Sequence, residues 1–214
     1  MKLNYTKNLS ITNKKEVVAI DKCRKSKTLE KSLTSHAHSD HFLKTNSLMS
    51  SFETKEIIEK TFNKELDIEP FTKKKEIIED VFVTPLNAGH ILGSNMFLFE
   101  NCCGSILYTG DFKTSNSLLF KGAKATSADT LIIESTFGKD KYIFPNRDQV
   151  YLDFSEKISR DLKEKKLILI GGYSLGKSQE LIKFVNVYLK EVPAVTKKIF
   201  DNSKIYENFN LSLG

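Results

Sequence analysis

The sequence of 214 residues contains no apolar run near the roughly 18 residues a membrane-spanning helix needs, and residues 2–14 are too polar for a signal peptide. These absences predict a soluble, cytoplasmic chain with no membrane partner. Repeats and low-complexity tracts are also missing, which excludes collagen-like repetition, and 40% hydrophobic with 28% charged residues excludes a disordered chain. Cysteine is scarce: Cys23, Cys102 and Cys103, with no C-x-x-C pair. An odd total that includes two neighbours fits a reducing compartment better than a disulfide framework, and it supplies no thiolate zinc site. Histidine is confined to the first 90 residues, with none after His90.

Lysine plus arginine outnumber aspartate plus glutamate by 33 to 27, a net charge of +6. That balance favours an anionic partner such as nucleic acid, and it equally serves solubility. Residues 16–20 read as a short strand running into Asp21, and residues 32–35 as another that ends in histidines. Residues 53–62 have helical apolar spacing. Residues 76–82, 95–99 and 105–108 are short β-rich runs, and 129–133 reads as a buried strand. A Pro-containing loop at 137–145 predicts a boundary that separates a domain of residues 1–140 from one of residues 141–214. In the second part, 147–165 reads as an amphipathic helix, 167–170 as an apolar strand and 178–188 as a helix, an α/β order. Residues 193–214 show no closing element.

The dominant signal is Ser35-His36-Ala37-His38-Ser39-Asp40-His41; the fourth histidine stands in Gly89-His90. On composition alone, a chance H-x-H-x-D-H has odds on the order of one in ten thousand. Imidazoles two residues apart at a strand end point the same way, so His36 and His38 can share one metal ion. Asp40 and His41 turn into the next loop, where they can reach a second. Nitrogen donors with a carboxylate suit zinc or another borderline first-row ion.

This pattern resembles the signature of the metallo-β-lactamase fold, a four-layered αββα sandwich. Further motifs follow in the order that family has them: Asp21 at a strand end, Ala88-Gly89-His90-Ile91-Leu92-Gly93-Ser94, and Tyr108-Thr109-Gly110-Asp111-Phe112. Glu134-Ser135-Thr136-Phe137-Gly138 and Tyr173-Ser174-Leu175-Gly176-Lys177-Ser178-Gln179-Glu180-Leu181 are similar to motifs of the β-CASP nuclease branch. That branch includes RNase J, the pre-mRNA 3′-end endonuclease of the cleavage and polyadenylation specificity factor with its archaeal relatives, and DNA-repair and ligase-associated exonucleases. The resemblance implies an α/β chain: the first half of the αββα sandwich, then the start of a β-CASP insert. It implies two zinc ions, one held by His36, His38 and His90, the other by Asp40 and His41, with Asp111 between them. Asp21 would orient the ligand loop, while Asp40 and Glu134 would take part in catalysis. The substrate implied is single-stranded nucleic acid, RNA or DNA, with RNA favoured by the Gln-Glu-Leu form of the last motif.

The departure from the family is equally specific. Two further family histidines, one of them a ligand of the second zinc, have no counterpart after His90. The chain is therefore expected to be a fragment, a split gene product completed by a separate chain or a second copy, or a remnant. Two other functions compete. Gly171-Gly172-Tyr173-Ser174-Leu175-Gly176-Lys177-Ser178 satisfies the phosphate-loop pattern G-x-x-x-x-G-K-[ST], which would make this a nucleotide-binding module. A non-catalytic RNA-binding subunit of a processing complex is the other.

Overall fold

The computed structural model describes residues 1–5, 9–21, 31–42, 47–63 and 65–214. Nearly all of the basic run at 22–31, and Cys23 with it, lies outside the described residues. These fold as two compact units, Met1–Ser115 with Lys121–Glu134, and Asn116–Phe120 with Ser135–Gly214. Among the described residues, no helix is long and apolar enough to cross a membrane.

The first unit is built on two sheets. One orders β1 (Lys2–Tyr5), β2 (Leu9–Asn13), β3 (Glu16–Ile20), β4 (Lys31–Leu33), β5 (Ser47–Ser50) and β6 (Ile68–Pro70), antiparallel up to β3 and parallel from there. The other is an antiparallel meander of β7 (Lys75–Ile78), β8 (Val81–Asn87), β9 (Asn95–Asn101) and β10 (Gly104–Tyr108), with β11 (Thr130–Ile132) laid parallel on its β10 edge. Side chains alternate across each strand, so β9 sends Phe97 and Phe99 into a core with Ile11, Val18, Leu33 and Met49 of the first sheet. Met96 and Leu98 face the other way, against Ala88, Leu107 and Phe112.

Between β5 and β6 lies α1 (Phe52–Phe62), with Ile57 and Ile58 buried. Ser51 starts it, its Oγ accepting from Thr54 N at 3.0 Å, and Asn63 ends it in the left-handed conformation. The same Ser51 hydroxyl donates to Gly93 O at 2.8 Å, as does Thr54 Oγ1 at 3.1 Å. The start of α1 is thus tied to the loop that carries His90. A Cβ at Gly93, where φ is +75°, would sit 2.5 Å from Ser51 Oγ and 2.8 Å from Thr54 N, so only glycine allows this approach.

The second unit is helical: α2 (Arg147–Lys163), α3 (Lys177–Phe184) continued by π-helical Val185–Leu189, and α4 (Lys197–Asn208). Phe184 is sandwiched by Phe154 and Tyr188, with ring centroids 5.2 and 5.3 Å away. Glu180 reaches α2, where its Oε1 accepts from Arg147 at 2.6 Å and from the Tyr151 hydroxyl at 2.6 Å. Fully buried Gln179 donates to Ser174 O at 3.2 Å and meets Ser203 Oγ of α4 at 3.3 Å.

Three expectations need correction. Residues 167–170 form no strand: Leu167 and Leu169 are 88% exposed, because an extended segment is a strand only when another strand takes its hydrogen bonds. The strand expected at 129–133 forms as β11, but Leu131 and Ile133 are more than half exposed, since β11 is a sheet edge. Residues 193–214 do have a closing element, α4. Its buried face mixes Asn202 and Ser203 with Ile205 and Tyr206, which breaks the apolar stripe that would reveal it.

The shared core of the two sheets sets a testable cost. Phe97→Ala should destabilise the first unit by about 3–5 kcal/mol, as deletion of a fully buried aromatic ring does. Urea unfolding measures it, and a loss below about 1 kcal/mol would contradict the core described above.

Candidate metal centre

Five strand ends meet at one edge of the first unit. Asp21 follows β3, the His36–His41 run follows β4, His90 follows β8, Asp111 follows β10 and Glu134 follows β11. The parallel pairing of β3 with β4 sets Ile20 beside Leu33, which brings Asp21 against the start of the histidine run. Asn95 N donates to Ser35 O at 2.9 Å, linking that run to the second sheet. Ser94 closes the His90 loop by accepting from His90 N and Ile91 N, both at 3.1 Å. Gly110, at φ +52°, lets Asp111 come close, for a Cβ there would lie 2.8 Å from Ser35 Oγ.

Asp21 is buried and itself left-handed, with φ +55°. Its Oδ1 accepts from Ser35 N at 2.7 Å. Its Oδ2 accepts from Ser35 Oγ at 2.9 Å, from His41 Nδ1 at 2.8 Å and from the Tyr108 hydroxyl. Proton accounting then fixes two ring tautomers. In its neutral form His41 carries its proton on Nδ1, so that Nε2 keeps its lone pair. The Ser35 proton is given to Asp21, so Ser35 Oγ accepts from His36 Nδ1 at 3.0 Å, and His36 likewise turns an Nε2 lone pair inward.

The inward nitrogens converge. His38 Nδ1 lies 3.0 Å from His36 Nε2 and 3.3 Å from His90 Nε2. Neighbouring nitrogens in a tetrahedral zinc shell, with Zn–N of about 2.0–2.1 Å, stand about 3.3 Å apart. With Asp111 these three histidines place one ligand atom each within 4.8 Å of one another. The donor set and its spacing therefore fit a zinc-like ion. Asp111 divides its oxygens: Oδ2 is 3.8 Å from His36 Nε2 and 3.6 Å from His90 Nε2, whereas Oδ1 is 3.5 Å from His41 Nε2. Asp40 stands further out, its side chain 77% exposed and its Oδ2 3.8 Å from His41 Nε2.

The electrostatics of the metal-free site differ from ring to ring. Burial, with help from His41, His38 and His90, pushes His36 far below the usual histidine range, so it is neutral and ready as a donor. Burial also disfavours a charge on His41, but the bond to Asp21 and the charges of Asp21, Asp111 and Asp40 outweigh it and raise its pKa. Asp111 is raised by burial and, against the pull of His41, by Glu134 and Asp40. Glu134 is thus near enough to act on Asp111, and its backbone N donates to Thr109 Oγ1 at 3.3 Å. Sequence reasoning quoted Ser35 and Tyr108 only as motif flanks. Their part in the Asp21 network depends on strand pairing, which neighbours in sequence do not reveal.

No family model matches the chain. It is 32% identical over 190 residues to a probable DNA ligase of Opitutus terrae, covering 86% of this chain and 18% of the ligase. It is 30% identical over 200 residues to an RNase J-like protein of Methanocaldococcus jannaschii, covering 79% of this chain and 48% of that protein. The chain thus spans about half the length of that relative or less. A crystal structure of an Enterococcus faecalis protein of unknown function superposes with a TM-score of 0.63 at 13% identity, over 95% of this chain and 64% of that one, which speaks for the fold alone. The motif order and these relatives place the chain in the metallo-β-lactamase superfamily. Within it, the chain belongs to the β-CASP nuclease branch, together with relatives named as RNases and as a cleavage and polyadenylation specificity factor subunit.

Protein expressed with zinc supplementation should carry zinc by elemental analysis. Asp111→Ala should lower its zinc content most, because its oxygens face His36 and His90 on one hand and His41 on the other, and His38→Ala should weaken retention at least tenfold. Wild-type protein without transition metal would contradict the donor assignment.

Proposed function

We propose that this chain carries the metal centre of a phosphodiesterase that cuts single-stranded nucleic acid, RNA or DNA, with RNA favoured by the Gln179-Glu180-Leu181 form of its last motif, on the αββα scaffold of its superfamily. The observation that carries the reading is the division of Asp111, with one oxygen toward His36 and His90 and the other toward His41. A carboxylate so placed suits two cations about 3.5–4 Å apart, the spacing used for in-line phosphoryl displacement. His36, His38 and His90 would hold the first ion, Asp40 and His41 the second, with Asp111 between them. Two bound zinc ions supply an activated water and neutralise the non-bridging phosphate oxygens. Asp40, exposed at the rim of the site, would take up the water's proton. Glu134, close enough to perturb Asp111, would act on the leaving-group side. The net charge of +6 serves the approach of a polyanion.

The nucleotide-binding alternative is poorly supported. A phosphate loop needs free backbone N–H groups and a hydroxyl turned toward the ligand. Here Gly176 N donates to Gln179 Oε1 at 2.7 Å, and Ser178 N and Oγ both donate to Tyr173 O, at 3.1 and 2.8 Å. Residues 167–170, directly before that loop, form no strand.

Leu131, exposed on edge strand β11, and Ile133, exposed just after it, offer apolar surface to a further neighbour, supplied by a separate chain or a second copy. Leaving apolar surface bare costs roughly 25 cal/mol per Å². Sedimentation of the isolated 214-residue chain should therefore show self-association, and its nuclease turnover should be slight. Turnover should rise when a fragment carrying further β-CASP motifs is added. Full activity from a stable monomer would defeat this part of the reading.

Cleavage of labelled single-stranded RNA should be abolished by a chelator, restored by zinc, and weakened as salt rises, because phosphate contacts release counterions. Tight RNA binding without cleavage, in the presence of bound zinc and that fragment, would instead favour a non-catalytic subunit.

A further inference from the structure

Tyr108 is the last residue of β10, three positions before Asp111, and its ring packs against the core shared by the two sheets. Its hydroxyl donates to Asp21 Oδ2, the same oxygen that accepts from His41 Nδ1. Burial, and then the charge of Asp21, raise its pKa well above the usual phenol range, so it remains a donor. Tyr108 comes from the second sheet, whereas Asp21 and His41 come from the first. The phenol therefore ties the Asp21 carboxylate, which follows β3 of the first sheet, to the second sheet.

We propose that Tyr108 is a positioning residue for the second metal position: through Asp21 it fixes the rotation and tautomer of His41, so that Nε2 faces Asp40 and Asp111. This rests on the two-ion reading above. Asp21 Oδ2 has three donors, and the Tyr108 hydroxyl is the one that no ligand loop supplies. Without it the carboxylate can turn within its pocket, and the His41 ring turns with it. The first position should respond less, because Asp21 bonds His41 directly but reaches His36 through the Ser35 hydroxyl, whose backbone N keeps its own bond to Asp21 Oδ1.

The test compares wild type with Tyr108→Phe, which keeps the ring and removes only the hydroxyl. Stepwise zinc affinities are measured by competition with a chromophoric chelator, and the absorption of the cobalt-loaded protein reports the geometry of each position. Expected for Tyr108→Phe are a first affinity that changes less than the second, a second affinity about tenfold weaker or more, and a cobalt spectrum altered chiefly for the second ion. The metal-free melting temperature should stay near that of wild type. Two bound ions in the wild type with identical second affinities in the variant would overturn this inference and leave the two-ion reading intact. A wild type that takes up only one ion would overturn both. A variant that loses its metal-free fold would also overturn it, since the hydroxyl would then be holding the fold rather than a ligand.

Discussion

One buried carboxylate connects the parts of the first unit that matter for its chemistry. Asp21 ends β3, receives the backbone and hydroxyl of Ser35, receives the ring of His41, and is capped by Tyr108 from the other sheet. A buried carboxylate is costly unless its lone pairs are filled, so the same bonds that make Asp21 tolerable also determine which nitrogen of His36 and His41 faces inward. Its φ of +55° is a second cost, accepted at a position where the chain must leave the strand and return the side chain beneath the next loop. Backbone strain, desolvation and ligand orientation are therefore settled at a single residue.

The sheet architecture explains why so few residues suffice. β3 and β4 run parallel in one sheet, and β8, β10 and β11 run in a common direction in the other. Their ends can therefore deliver Asp21, the histidine run, His90, Asp111 and Glu134 to one edge without long loops. The two glycines that permit this are of different kinds. Gly93 lets the His90 loop touch the start of α1, and Gly110 lets the Asp111 turn lie against Ser35. A side chain at either place would push a candidate ligand away from its partners, although neither glycine bears a functional group.

What was legible in the sequence follows from how local each signal is. Residues 16–20, 53–62 and 105–108 could be read because strand and helix periods show within a few residues, and the histidine spacing because H-x-H is a strand-end pattern. β1, β2, β5 and β6 escaped notice: Lys2–Tyr5 and Ser47–Ser50 are only four residues each, too short to establish a period, and their stability comes from neighbours distant in sequence. The apolar run at 167–170 misled for the converse reason, since it has the composition of a strand without a partner among the described residues. α4 was hidden because Asn202 and Ser203 occupy its buried face, where they serve Ser174 and Gln179. The side chains singled out around His36 do come together, yet the hydroxyls of Ser35 and Tyr108 that orient them have no sequence signature of their own.

The Gln179-Glu180 pair shows how a motif can be informative about lineage while its side chains do structural work. Gln179 Oε1 accepts from Gly176 N, and its amide nitrogen reaches Ser174 and α4; Glu180 ties α3 to Arg147 and Tyr151 of α2. These bonds satisfy buried polar groups that would otherwise cost about 1–3 kcal/mol apiece. They also consume the donors at the start of α3 that a phosphate would need. The pattern that looks like a nucleotide loop is in this chain the turn into α3, closed by the bond from Gly176 N to Gln179 Oε1. A phosphate-binding role at this loop would therefore require Gln179 to give up its bond to Gly176 N.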